Sequence, residues 1–90
     1  GIGEALDELF KSTPTIARKI AEAKIPDRWP LLVGSVIASY TTRMEVKNGR
    51  LFVYISSSVA RNEVFMRRAV IKEEINRLSG LEVISTIIVK

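Results

Sequence analysis

The run MEVKNGRLFVYIS, Met44 to Ser56, is two alternating segments folded about Asn48-Gly49. A two-residue loop of this kind needs φ > 0 at both central positions, which Asn and Gly accept, and it fixes the register of the strands on either side. Lys47 then faces Arg50, Val46 faces Leu51, Glu45 faces Phe52, Met44 faces Val53 and Arg43 faces Tyr54. Side chains alternate across a strand, so Met44, Val46, Leu51, Val53 and Ile55 make one apolar face. The other face holds Arg43, Glu45, Lys47 and Arg50 beside Phe52 and Tyr54. Two explanations account for rings there. One is ordinary cross-strand pairing, in which an aromatic over an Arg or aliphatic stem contributes from a few tenths to about 1 kcal/mol. The other is a binding surface.

A chain of 90 residues that is 47% hydrophobic has the material for one core of two layers, and 27% charged residues do not point to disorder. Cysteine and histidine are both absent. That removes disulfides, thiolate metal sites, the commonest zinc ligand and the commonest general base. No apolar run approaches the roughly 18 residues that span a bilayer, and no basic segment precedes an apolar one as in a leader, so a cytoplasmic protein without membrane contact is expected. The net charge of +4 is unevenly placed. Basic and acidic residues balance at five each over residues 1–39, stand at three to one over 40–57 and five to three over 58–80, and balance again at the end. The excess lies in the hairpin and the segment after it, which suits an anionic partner.

Glu4 to Lys11 reads as a short helix with acids in its first turn. Thr13-Pro14 is an N-cap and first-turn pair, predicting a helix through Lys24 with Ile16 and Ile20 inward, ended by Pro26. Asp27 is expected to cap a third helix, with Pro30 in its first turn and a stripe of Trp29, Leu32, Val33, Val36, Ile37 and Tyr40 facing the core. Beyond the hairpin, strands 41–47 and 51–56 give way to a helix over 58–79, capped by Ser57 or Ser58 and stopped at Gly80. Its buried stripe is Ala60, Val64, Ile71, Ile75 and Leu78. Arg61, Arg68 and Lys72 form a basic ridge on the flank, with Phe65 beside them. Val59, Met66 and Val70 make a second apolar line on nearly the opposite side, which predicts a further layer or a protein partner. The β-branched run 83–89 reads as a third strand. The fold class is α+β: N-terminal helices, then αββαβ, with a three-stranded sheet packed against helices on one face.

Several of these segments together resemble a known family. The pattern W-x4-G-x2-IA at Trp29, Gly34, Ile37 and Ala38, the hairpin YTTRMEVKNGRLFVYISSS, RNEV at Arg61 to Val64 and INRLSGLEVISTIIV near the end are similar to the bacterial DciA-like proteins. The resemblance implies a KH-like domain over 25–90 behind an N-terminal helical extension, 1–24. It also implies a non-ATPase part in placing the replicative helicase during DNA replication, cytoplasmic residence, and nucleic-acid binding by the KH-like domain. The GxxG loop with which KH domains clamp a nucleic-acid backbone is not present.

Three function classes follow. The first is a non-enzymatic adaptor binding single-stranded DNA or RNA weakly through Arg43, Lys47, Arg50, Arg61, Arg68 and Lys72, with Phe52 and Tyr54 as stacking groups. The second is a structural or dimerisation module in which Val59, Met66 and Val70, or the open sheet face, mate with a copy of the domain. The third is an enzyme, and the sequence offers little for one. Glu73 and Glu74 point about 100° apart on a helix, the serine run Ser56 to Ser58 has no base, and VGSV lacks the further glycines and lysine of a phosphate loop. No catalytic residue, metal ligand or cofactor is assigned.

Overall fold

In the computed structural model the described residues are 14–90, with side chains from residue 16 onward. Seven elements follow in order: α1 (Pro14–Val33), α2 (Ser35–Tyr40), β1 (Thr41–Lys47), β2 (Arg50–Ile55), α3 (Ser58–Met66), α4 (Arg68–Ser79) and β3 (Thr86–Val89). The expected helix over Glu4 to Lys11 and the cap at Thr13 lie outside the described residues.

The hairpin takes the register that its turn dictates. Asn48 and Gly49 have φ of 51° and 78°, and the pairs run Lys47–Arg50, Val46–Leu51, Glu45–Phe52, Met44–Val53 and Arg43–Tyr54. An irregularity between Thr41 and Arg43 ends the regular ladder. Strand β3 adds to β2 in parallel, aligning Leu51 with Ile87 and Phe52 with Ile88, so the sheet is mixed and ordered β1-β2-β3. A parallel neighbour needs a crossover, which α3 and α4 supply. Leu51, Val53 and Ile55 are buried beneath Ala60, Val64, Ile71 and Ile75 of those helices, together with Val83, Ile84 and Ile87.

Helix α1 departs from expectation. Pro26 does not end it; the helix runs unbroken through Pro26 and Pro30. A proline inside a helix removes one hydrogen bond and crowds the carbonyl four residues back. Here both prolines are exposed on one side of the helix. On the adjoining side, within about 100° of each proline, Ala21, Ile25, Trp29 and Val33 follow a strict four-residue spacing, and all are buried. Burying the three large members is worth about 1.5 to 3 kcal/mol each, enough to offset the proline penalties. That stripe also fixes the phase of the helix. Ile16 and Ile20 are therefore exposed and not inward, since Ile20 lies 100° from Ala21.

Gly34, with φ of 93°, interrupts the stripe beyond Val33. Helix α2 leaves in a new direction, with Ile37 and Ala38 against the core and Val36 and Tyr40 exposed, contrary to the continuous stripe expected. Trp29 locks the corner by donating its indole N–H to Thr41 Oγ1 at 2.9 Å, while that hydroxyl donates to the Ile37 carbonyl at 3.0 Å.

The helix expected over 58–79 is two. Arg67, at φ −102° and ψ 10°, separates α3 from α4, and its N–H is shared between the Glu63 and Val64 carbonyls at 3.3 and 3.1 Å. The tightened turn lets Ala60–Val64 and Ile71–Ile75 both face the sheet; Leu78, past them, is partly exposed. Ser57 caps α3 by accepting from the Ala60 N–H, and Gly80 ends α4 at φ 73°. Near the end of α4, Arg77 bonds Glu74 at 2.7 Å, and that hydrogen bond and positive charge hold the Glu74 carboxyl below its usual value.

Strand β3 begins at Thr86 and not at residue 83. The reason is Asn76, whose Oδ1 accepts from the N–H groups of Val83 and Ile84 at 3.0 Å each and whose Nδ2 donates to the Ile84 carbonyl at 2.9 Å. A side-chain amide here does the work of a neighbouring strand. Two substitutions test the scaffold by chemical denaturation. Trp29→Ala is expected to cost about 3 to 5 kcal/mol. Asn76→Ala is expected to cost about 2 to 3 kcal/mol, because the N–H and C=O of Ile84 both lose their partner while the Val83 N–H keeps only the Leu81 carbonyl. A change below about 0.5 kcal/mol for either, the range of ordinary surface sites, would refute its structural role.

Candidate nucleic-acid interface

The alternation of β2 leaves Arg50, Phe52 and Tyr54 on the face away from the helices, with both rings half-buried. Their cross-strand partners Lys47, Glu45 and Arg43 share that face. Arg43 does two things there. Its guanidinium lies over the Tyr54 ring at 5.5 Å from the centroid, and Nη2 pairs with Glu45 Oε2 at 2.9 Å. The parallel register of β3 brings a fourth cation, as Lys90 Nζ sits 5.7 Å from the centre of Phe52. Arg43, Lys47, Arg50 and Lys90 thus surround two aromatic rings, with Glu45 as the one acid of the same face among these residues. Cross-strand pairing and a cationic surface turn out to be one arrangement, since the arginine that covers a ring also charges the face.

The other three predicted cations lie on α3 and α4, in the layer packed on the opposite face of the sheet. Arg61 is committed to structure: its Nη1 donates to the Ile55 carbonyl at 2.6 Å, tying α3 to the end of β2. Arg68 folds back on its own helix, 4.0 Å above the Phe65 ring, and donates to the Phe65 carbonyl at 2.7 Å. Lys72 is half-buried. The sheet therefore separates the eight candidates into an open-face set, Arg43, Lys47, Arg50, Phe52 and Tyr54, and a helix set, Arg61, Arg68 and Lys72. Val59, Met66 and Val70 are exposed by 79%, 73% and 59%, on helices split at Arg67. Among the described residues no cluster of acidic side chains could hold a metal ion, and no helix is long and apolar enough to cross a membrane.

Comparison with known families decides the kinship. The sequence model of the family described as Dna[CI] antecedent, DciA, matches residues 1–89. The chain belongs to the DciA family. That family is associated with helicase loading in replication, which implies interaction with the replicative helicase, and it is not known as a family of enzymes. No curated protein and no solved structure matches the chain.

In this DciA-family chain one cation of the sheet face, Lys90, escapes sequence reasoning. Nothing local marks it; only the parallel pairing of β3, with the Lys90 N–H donating to the Val53 carbonyl and its own carbonyl accepting from Ile55, carries it to Phe52. The two sets of cations differ in what their loss should do. Arg61→Ala is expected to destabilise the fold by about 1.5 kcal/mol, the low end for a hydrogen bond from a charged group. Arg50→Ala, at an exposed residue with no side-chain partner among the described residues, should leave stability within about 0.5 kcal/mol. Equal effects in urea unfolding would contradict this division.

Proposed function

We propose that this chain is a non-enzymatic adaptor that holds single-stranded nucleic acid weakly on the open face of its sheet while taking part in placement of the replicative helicase. The observation that supports it is the joining of Arg43, Lys47, Arg50 and Lys90 to Phe52 and Tyr54 on one face. Bases stack on aromatic rings regardless of sequence, at about 1 to 3 kcal/mol each, and the cations meet the phosphates on either side. An open sheet face suits a flexible single strand better than a duplex, whose bases are already stacked on one another. The same geometry serves DNA and RNA, because nothing in it selects for the 2′-hydroxyl. In this account the helix-borne cations Arg68 and Lys72 add only long-range attraction.

A second surface belongs to proteins. Val59, Met66 and Val70, largely exposed on the helical layer, are proposed to contact the helicase or another copy of the domain. The two surfaces lie on opposite sides of the sheet, so one chain could engage a strand and a protein together.

Fluorescence anisotropy with a labelled single-stranded oligonucleotide across a salt series tests the first surface. Three or four phosphate contacts give a slope of log K against log[salt] of about −2 to −3, at roughly −0.7 per contact on a single strand. Arg50→Ala should flatten the slope by about 0.7, whereas Arg68→Ala should leave it unchanged. Tyr54→Ala should weaken binding by about 1 to 3 kcal/mol without altering the slope, since a ring carries no charge. No binding at low salt would reject the proposal.

A further inference from the structure

Strand β1 lies at an edge of the sheet, so among the described residues one long side of Thr41–Lys47 has no strand beside it. In an antiparallel pair closed by a two-residue turn, the residues flanking the turn exchange both main-chain hydrogen bonds, and every second residue outward does the same. Lys47 and Glu45 therefore spend their main-chain groups on Arg50 and Phe52. The N–H and C=O groups of Met44 and Val46 point away from the sheet, and among the described residues no other backbone group bonds to them.

Beside that edge runs a groove whose far wall is α1. Three concavities of about 510, 290 and 350 Å³ follow one another along it. The first and second share Lys19, Glu22 and Val46; the second and third share Pro26 and Met44. Shared walls make them one channel, reaching from the Asn48-Gly49 turn to Trp29.

We propose that this groove receives one extended segment of a partner protein as a fourth strand beside β1, and that the segment alternates apolar and acidic side chains. The occupant is read from the walls. Unpaired main-chain donors and acceptors on a sheet edge recognise another extended main chain, which is the chemistry of strand addition. Neighbouring strands lie about 4.8 Å apart, and α1 bounds the channel on its far side, so it suits a single strand. Alternate residues of an added strand would fall on the helix side, over Ala23, Pro26, Met44 and Val46. The residues between them would fall on the open face next to Arg43 and Lys47, where the cations outnumber Glu45 and acidic side chains are complementary. The proposal does not depend on nucleic-acid binding, because its main-chain contacts lie on the edge and not on the face.

The test selects binders from a library of random short peptides against the full chain. The selected peptides are then N-methylated one position at a time, and hydrogen exchange of the Met44 and Val46 amides is followed with and without peptide. Expected are peptides with apolar–acidic alternation that slow exchange at both amides. N-methylation should lower affinity about tenfold or more at alternating positions only, each such loss leaving one main-chain group unpaired. Val46→Pro removes an outward N–H while sparing the hairpin ladder, as proline is tolerated on the free side of an edge strand, and it should weaken binding similarly. If that variant does not fold, the N-methyl series on the parent chain decides alone. Failure to select any peptide, selected peptides without alternation, or binding that leaves both amides exchanging as in the free protein would overturn the proposal. Protection of the two amides by a single-stranded oligonucleotide, or by self-association without peptide, would overturn it equally.

Discussion

Trp29, 2% exposed, is where α1, α2 and β1 meet. Its ring belongs to the buried stripe that keeps α1 continuous through two prolines, and its N–H ends on Thr41, the first residue of β1. A buried indole without an acceptor would cost more than its hydrogen bond returns. The position of Thr41 is therefore coupled to the depth of Trp29, and through Thr41 the whole hairpin is hung from α1. The hairpin in turn places Arg43, Lys47, Arg50, Phe52 and Tyr54. A chain with one tryptophan and no disulfide thus holds its candidate interface through a packing contact on the far side of the sheet from it.

What the sequence disclosed and what it concealed divide by range. The register of β1 and β2 was legible because an Asn-Gly turn and a period of two are local, and one slipped residue would turn Leu51 and Val53 out to water. The caps at Ser57 and Gly80 were legible for the same reason. The continuation of α1 through Pro26 was not, since local propensity says stop and only the burial of Ile25 and Trp29 says continue. The break at Arg67 carries no mark at all: Met66, Arg67 and Arg68 contain neither glycine nor proline. The shortened third strand depends on Asn76, whose amide reaches over a turn to Val83 and Ile84, and an asparagine on a helix looks from its sequence like any solvated residue.

The candidate site shows the same division in sharper form. Eight residues adjoining one another in the chain, and rich in positive charge, suggested one surface. The five that belong to strands share one face of the sheet, and the three that belong to helices lie in the layer packed on the other. The open face kept five of them and gained Lys90, brought by a parallel pairing that no local pattern announces. Arg61 went to the Ile55 carbonyl, and Arg68 to the ring and carbonyl of Phe65. Charge counted along a sequence segment therefore overstates the charge available to any one ligand.

The central claim is that the face bearing Phe52 and Tyr54, and not the helical layer, meets single-stranded nucleic acid. Chemical-shift mapping of the labelled protein with an unstructured oligonucleotide tests it most directly, because it reports every residue at once. The account predicts shifts centred on Arg43, Lys47, Arg50, Phe52, Tyr54 and Lys90, with Val59, Met66, Val70 and Arg68 unmoved. Shifts centred on α3 and α4 with a silent sheet face would contradict it.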